Sequence, residues 1–161
     1  MFDVFEKIEN EFNVSLTIVG DGSKLNEYKS KYNNKRNIYF TGWMEKQNLF
    51  AIANNFDLLV APHGGYTNIQ LGILGVPSVS YWYDSMADII YNNFNGFLID
   101  KTTPNELEKV LRQYLSLSVE EKNRFKENTF ISFNQRFSMK QFEISKKNLV
   151  EKMKEIEKCV E

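Results

Sequence analysis

Along the chain, short apolar runs rich in β-branched and aromatic residues alternate with stretches whose apolar positions recur at helical spacing. Residues 14–19 (VSLTIV), 37–41 (NIYFT), 56–61 (FDLLVA), 78–82 (SVSYW) and 96–99 (GFLI) read as strands. Helices are expected at about 2–12, 24–33, 46–54, 67–75, 84–92 and 104–116. This is the alternation of successive βαβ units, and it predicts an α/β fold: a Rossmann-like parallel sheet with helices on both faces. Several of the runs are almost continuously apolar, as strands covered on both sides must be. The turns after them carry Gly or Pro, most plainly Gly20-Asp21-Gly22-Ser23. Thr103 offers a capping hydroxyl, Pro104 suits the first helical position, and Glu106 completes a helix start.

Beyond Ser118 the chain reads as charged helix. Met139, Phe142, Leu149, Met153, Ile156 and Val160 recur at spacings of three, four or their sum, and Lys146 interrupts the stripe. Three uninterrupted heptads are not present, so an amphipathic helix packing back on its own domain is expected in preference to a coiled coil. The expected organisation is a Rossmann-like domain over 1–117 and a helical C-terminal extension over 118–161 that packs on it.

Composition narrows the partners. At 161 residues, 42% apolar and 25% charged, the chain has the size and balance of one soluble globular domain. Twenty Lys plus Arg against twenty-one Asp plus Glu leave a net charge of −1, which gives no general attraction to nucleic acid or anionic lipid. Cys159 stands alone, which excludes an internal disulfide and a cysteine-based metal cluster and fits a reducing compartment. The N-terminus lacks the pattern of a secretory leader, and no apolar run approaches the roughly 18 residues of a membrane span, so a cytoplasmic location is expected.

In open α/β sheets ligands bind beyond the carboxyl ends of the strands, so the loops there are where chemistry is expected. The most unusual is Pro62-His63-Gly64-Gly65-Tyr66-Thr67-Asn68. Adjacent glycines before a helix let backbone N–H groups approach a ligand closely. The helix start adds partial positive charge, and Thr67 and Asn68 add side-chain donors: together, a diphosphate cradle. The alternative is an ordinary strand-to-helix turn with Thr67 as cap. Gln70, one turn beyond Tyr66 and Thr67, is placed to reach a ribose hydroxyl. His63, the one histidine of the chain, is a candidate proton donor or phosphate ligand. No His, Cys or carboxylate grouping has metal-ligand spacing, so no metal is expected. Neither a Gly-x-Ser-x-Gly elbow nor a Walker loop occurs, and Gly20-Asp21-Gly22 lacks the third glycine of a dinucleotide fingerprint.

Five pieces in order carry a resemblance: Leu16-Thr17-Ile18-Val19-Gly20-Asp21-Gly22, Ile38-Tyr39-Phe40-Thr41-Gly42-Trp43, Phe56-Asp57-Leu58-Leu59-Val60-Ala61-Pro62, Gly75-Val76-Pro77 and Asn95-Gly96-Phe97-Leu98-Ile99. Over residues 2–116 the chain resembles the C-terminal, nucleotide-sugar-binding domain of GT-B glycosyltransferases, closest to the retaining group 1 (family 4-like) enzymes. The resemblance implies a cytoplasmic bacterial hexosyltransferase of polysaccharide assembly whose donor substrate is a nucleotide sugar, UDP-sugar above all, with no cofactor. It implies a base pocket at Trp43 and Met44 beside Gly20, phosphate contacts at Gly64, Gly65, Tyr66, Thr67 and Asn68, and a ribose contact at Gln70. Gln70 stands where the family has glutamate, and an amide lacks the acceptor strength of a carboxylate.

Other departures matter as well. The family's first-motif glutamate is replaced by His63-Gly64-Gly65, which looks like the His-Gly-Gly phosphate loop of inverting GT-B enzymes, one residue shorter; stereochemistry stays open and His63 is the candidate catalytic contact. The family's domain opens with a strand and loop bearing an Arg and a Lys for the diphosphate, and this chain begins at the helix after them. An N-terminal acceptor domain or partner subunit is therefore expected to complete the enzyme, with any peripheral membrane association through that half, and the chain alone is expected not to transfer sugar. Two other readings are a catalytically inactive glycosyltransferase-like binding module and a sugar-nucleotide epimerase of the same architecture. The Phe-x-Gly-Trp and Asn-Gly-Phe-Leu pieces suit transferases better than the latter.

Overall fold

The computed structural model describes residues 1–83, 85–100 and 103–160, with side chains as far as Met153. In chain order the elements are α1 (Phe2–Ile8), β1 (Leu16–Val19), α2 (Leu25–Lys31), β2 (Ile38–Gly42), α3 (Lys46–Ile52) with a 3₁₀ turn at Ala53–Asn55, β3 (Leu59–Val60) and α4 (Tyr66–Gly72). Then come β4 (Ser78–Tyr81), α5 (Met86–Ile89), β5 (Gly96–Ile99), α6 (Pro104–Leu115), α7 (Val119–Phe137) and α8 (Met139–Val160). All five expected strands form. Asp84, the first residue of the helix expected at 84–92, lies outside the described residues, as do the side chains of Ile156, Cys159 and Val160.

The apolar runs become strands because both of their faces are covered. In β5, Phe97 and Ile99 enter a core with Val79, Leu107, Leu111 and Tyr114, while Leu98 points the other way into a core with Met86, Ile89, Ile90 and Phe133. The strand period of two thus feeds two separate layers. In β3 the same alternation sends Val60 toward the first core and Leu59 toward Ala53, Leu71 and Val76.

Every strand pair is parallel, but the strands form two sheets, β1-β2 and β3-β4-β5, rather than one. The sequence pattern identifies strands without revealing which of them pair, so this division was not legible in it. Helix α1 joins the two: Val4 and Ile8 pack into the core over β4 and β5, whereas Phe5 packs with Tyr32 and Ile38 over β1 and β2. Phe2 stacks on Tyr28 and Tyr32, with ring centres 4.6 and 4.4 Å away, which places α2 on the same face as α1. Helix α4 covers the opposite face. Right-handed crossovers on opposite faces progress in opposite directions, so the step from β1 to β2 and the step from β3 to β4 run opposite ways.

Helix α7 closes the second face. Phe133 is buried, and a side chain at Gly72 would meet its ring at 2.4 Å, so α4 and α7 touch through a glycine. Buried Asn95 ties α7 to the start of β5: its amide donates to Ser132 Oγ (3.0 Å) and the Ile89 carbonyl (3.3 Å), its Oδ1 accepts from Tyr91 N–H (2.7 Å), and Thr129 Oγ1 donates to the Asn95 carbonyl (3.1 Å). The expected packing of the apolar stripe in the last helix requires correction. Met139, Phe142, Leu149 and Met153 on α8 are all exposed, and the contact with the domain is made by α7. Ser138 is extended and ends α7, so what reads as one helical stretch is two helices.

Ion pairs secure α1. Lys7 bonds Glu108 at 2.9 Å, Arg112 donates to Glu11 (Nη2, 3.0 Å) and to Glu108 (3.0 Å), and Glu9 accepts from Lys35 and from Asn37 (2.9 Å). These donors hold the carboxyls low: Glu9 through Lys35 and then Asn37, Glu108 through Lys7 and then Arg112, Glu11 through Arg112. A carboxyl lowered on folding stabilises the native state above its unfolded value, about 4.3 for glutamate, and that stabilisation is lost as pH falls through the folded value. Tm is therefore expected to be level near neutrality and to fall below about pH 4.5, with a shallower fall in Glu9→Gln. Thermal melts across pH 3–7 read this; equal acid sensitivity in both proteins would remove Glu9 from the account.

Candidate functional site

In a parallel α/β arrangement the expected ligand crevice lies at the carboxyl ends of the strands, here beyond β1 and β3. Four loops gather at the carboxyl ends of β1 to β4. Gly20 follows β1 at φ +133°, and its N–H donates to the Gly42 carbonyl at 2.8 Å, binding the ends of β1 and β2 together. Trp43 follows β2 with 67% of its surface exposed, beside half-buried Met44. Residues 62–68 follow β3, and Trp82 and Tyr83 follow β4, both with exposed rings.

The loop after β3 begins as a tight turn, with Gly64 N–H donating to the Ala61 carbonyl at 3.0 Å. Gly65 lies at φ +50°, ψ −110°, a conformation essentially reserved for glycine, and it is the cap residue of α4. Helix α4 therefore starts at Tyr66, and Thr67 does not cap it. Thr67 and Asn68 N–H groups are taken by the carbonyls of Gly64 (3.3 Å) and Gly65 (3.2 Å). The N–H groups of Gly65 and Tyr66 have no acceptor among the described residues. The His63 N–H likewise has none, so the loop carries three free backbone donors, two of which flank the strained Gly65 Cα.

Of the side-chain donors expected here, one is turned away. Asn68 is completely buried: its amide donates to Met86 Sδ at 3.3 Å, and its Oδ1 has no partner among the described residues. The third position of α4 faces α5 and the core, so the side chain lies beneath the loop and takes no place on its surface. A Cβ on Gly64 would meet Asn68 Oδ1 at 2.6 Å, so the first glycine is required by Asn68 and the second by its own backbone. Thr67 and Gln70 are half-buried on the outward turn of α4.

His63 is exposed and sits against two aromatic rings, with ring centres 5.7 Å from Tyr81 and 5.6 Å from Tyr83. Tyr66 is 67% exposed, and Lys46 Nζ stands 5.9 Å from the centre of its ring and 5.2 Å from that of Phe50. Sequence reasoning missed Tyr81, Tyr83 and Lys46. No local pattern marks them, because each contact joins loops that follow different strands. The structure thus brings together His63, Gly64 and Gly65 on the loop after β3 and Tyr66 and Thr67 at the start of α4, with Gly20, Trp43 and Met44 on the loops after β1 and β2.

A family model described as glycosyl transferases group 1 matches residues 1–131. No curated protein matches the chain. Among solved structures, sucrose-phosphate synthase from Thermosynechococcus elongatus is 14% identical with a TM-score of 0.72, over 86% of this chain and 38% of that one. TarM of S. aureus is 23% identical with a TM-score of 0.73, over 91% and 31%. Anabaena HepE in complex with UDP-glucose is 17% identical with a TM-score of 0.67, over 92% and 44%. The chain thus spans well under half the length of these three proteins, and the likeness is one of fold.

Proposed function

The chain belongs to the glycosyl transferases group 1, and from that premise we propose that its strand carboxyl ends bind the nucleotide-sugar donor of a glycosyl transfer reaction. The observation that carries the reading is Gly65. Its left-handed backbone turns the N–H groups of Gly65 and Tyr66 out of the chain's own hydrogen bonding beyond the carboxyl end of β3, where a diphosphate would be received. Oriented backbone donors that already lack partners stabilise a departing diphosphate without reorganising as it leaves.

In this reading Gly20, Trp43 and Met44 receive the base, Gly64 lets the loop close over Asn68, Gly65, Tyr66 and Thr67 meet the phosphates, and Gln70 meets the ribose. His63, oriented by Tyr81 and Tyr83, contacts the diphosphate or the sugar. The UDP-glucose complex of Anabaena HepE supports uridine as the base. Residues 1–117 form the donor-binding unit, closed by α7 of the 118–161 extension, and an acceptor-binding domain or partner subunit completes transfer to a glycan, lipid or protein. No described helix is long and apolar enough to cross a membrane.

Calorimetric titration with UDP tests the reading: binding is expected, and it is expected to persist in EDTA, because no Asp-x-Asp or histidine cluster in the sequence would hold a divalent ion on the diphosphate. Absence of UDP binding would remove the donor-site assignment. Binding lost in EDTA and restored by magnesium or manganese would instead place a metal in the site.

A further inference from the structure

We infer that Lys46, at the start of α3, is a cation that neutralises the diphosphate at the loop after β3; this rests on the donor-site reading above. Two backbone N–H groups supply hydrogen bonds but no net charge, and a diphosphate brings at least two negative charges. A cation is needed beside Gly65 and Tyr66, and two candidates follow the carboxyl ends of β1 and β2. Lys24 is engaged by Glu27 at 2.8 Å. Lys46 forms no ion pair among the described residues, and its ammonium is placed by the rings of Tyr66 and Phe50.

The choice of partner matters chemically. A carboxylate on Lys46 would compete with phosphate for the ammonium, whereas aromatic faces hold the cation in position and leave its charge uncompensated. Tyr66 links the two halves of the site: its ring orients Lys46, and its own N–H is one of the free donors. Because β2 and β3 belong to different sheets, the Lys46 to Tyr66 contact also spans the division between them at the ligand-binding end.

The test compares the parent with Lys46→Gln, Lys46→Arg and Gly65→Val by titration with UDP and with uridine, at low and at physiological salt. Lys46 is exposed, so its substitutions should leave thermal melting unchanged. Lys46→Gln is expected to weaken UDP about tenfold, to leave uridine binding unaltered and to flatten the salt dependence, while Lys46→Arg keeps most of the UDP affinity. If Lys46→Gln binds UDP as the parent does while Gly65→Val does not, the inference fails and the donor site stands. If Lys46→Gln weakens uridine as much as UDP, the lysine serves the base rather than the phosphates and the inference is again wrong. If the parent binds no UDP, or Gly65→Val binds it equally well, the donor-site reading falls and takes the inference with it.

Discussion

Gly65→Val is expected to fold and to bind UDP at least ~100-fold more weakly than the parent, whereas Gln70→Ala should lose about tenfold at most. Gly65 holds φ +50°, ψ −110°, and a Cβ there would meet nothing within 4 Å inside the chain, so the first carbon of a side chain has room. What changes is the backbone. A β-branched residue leaves this region to avoid about 1–3 kcal/mol of strain, and the N–H groups of Gly65 and Tyr66 swing with it. Two donors to a charged acceptor are worth about 1.5–3 kcal/mol each, and the branched side chain would also fill the space into which the ligand must come. Gln70 offers neutral hydrogen bonds of about 0.5–1.5 kcal/mol. Circular dichroism establishes the fold of each variant and calorimetry the order of affinities; a Gly65→Val chain that binds UDP like the parent would move the cradle elsewhere.

Phe133→Ala is expected to destabilise the chain by about 3–5 kcal/mol, the cost of removing a buried aromatic and leaving a cavity. Phe133 is 1% exposed, packs with Met86, Ile89, Ile90 and Leu98, and lies directly on Gly72, which has no side chain of its own to fill the space. Of typical domain stabilities of about 5–15 kcal/mol this is a large share, so the variant is expected to be recovered folded only at low temperature. Denaturant unfolding with the slope held to the parental value reads the change; a loss below ~1 kcal/mol would mean that α7 does not close this face in solution.

How much of this was legible depended on whether the determining contact was local. Residues 78–81 and 96–99 fell where their unbroken apolar runs placed them, because strands buried on both faces leave that pattern. The capping start of α6 at Thr103 was equally local: its hydroxyl accepts from Glu106 N–H. Strand β3 shrank from 56–61 to Leu59–Val60 because Phe56 still closes the preceding 3₁₀ turn through Ala53, and pairing begins only with Leu59 donating to Pro77. The helix expected to reach residue 92 stops at Ile89, since Ile90 is extended and Asn93 takes φ +59°.

At Ser138 a signal was present and went unread. Ser138 is followed three residues later by Gln141, and its hydroxyl caps the Gln141 N–H at 3.2 Å, which starts a new helix inside a stretch of continuous helical period. The candidate site divided in the same way. The double glycine announced the loop and its position after a strand. That Asn68 would turn inward, that Gly65 and Tyr66 would keep free N–H groups, and that Lys46 would lean on Tyr66 depend on how separate elements pack, which no spacing within the loop encodes.

The contact between Gly72 and Phe133 also sets an order of assembly during synthesis. The face of α4 that Phe133 covers is made early and must wait, uncovered, until α7 has been translated and has left the ribosome. At about 5–20 residues per second that delay is on the order of several seconds, long compared with the formation of the helices themselves. During that interval Leu98, Ile69 and Met86 offer a nascent apolar surface to whatever reaches it first, so the ring that finishes the domain is also the ring whose late arrival exposes the nascent chain to chaperones and to aggregation.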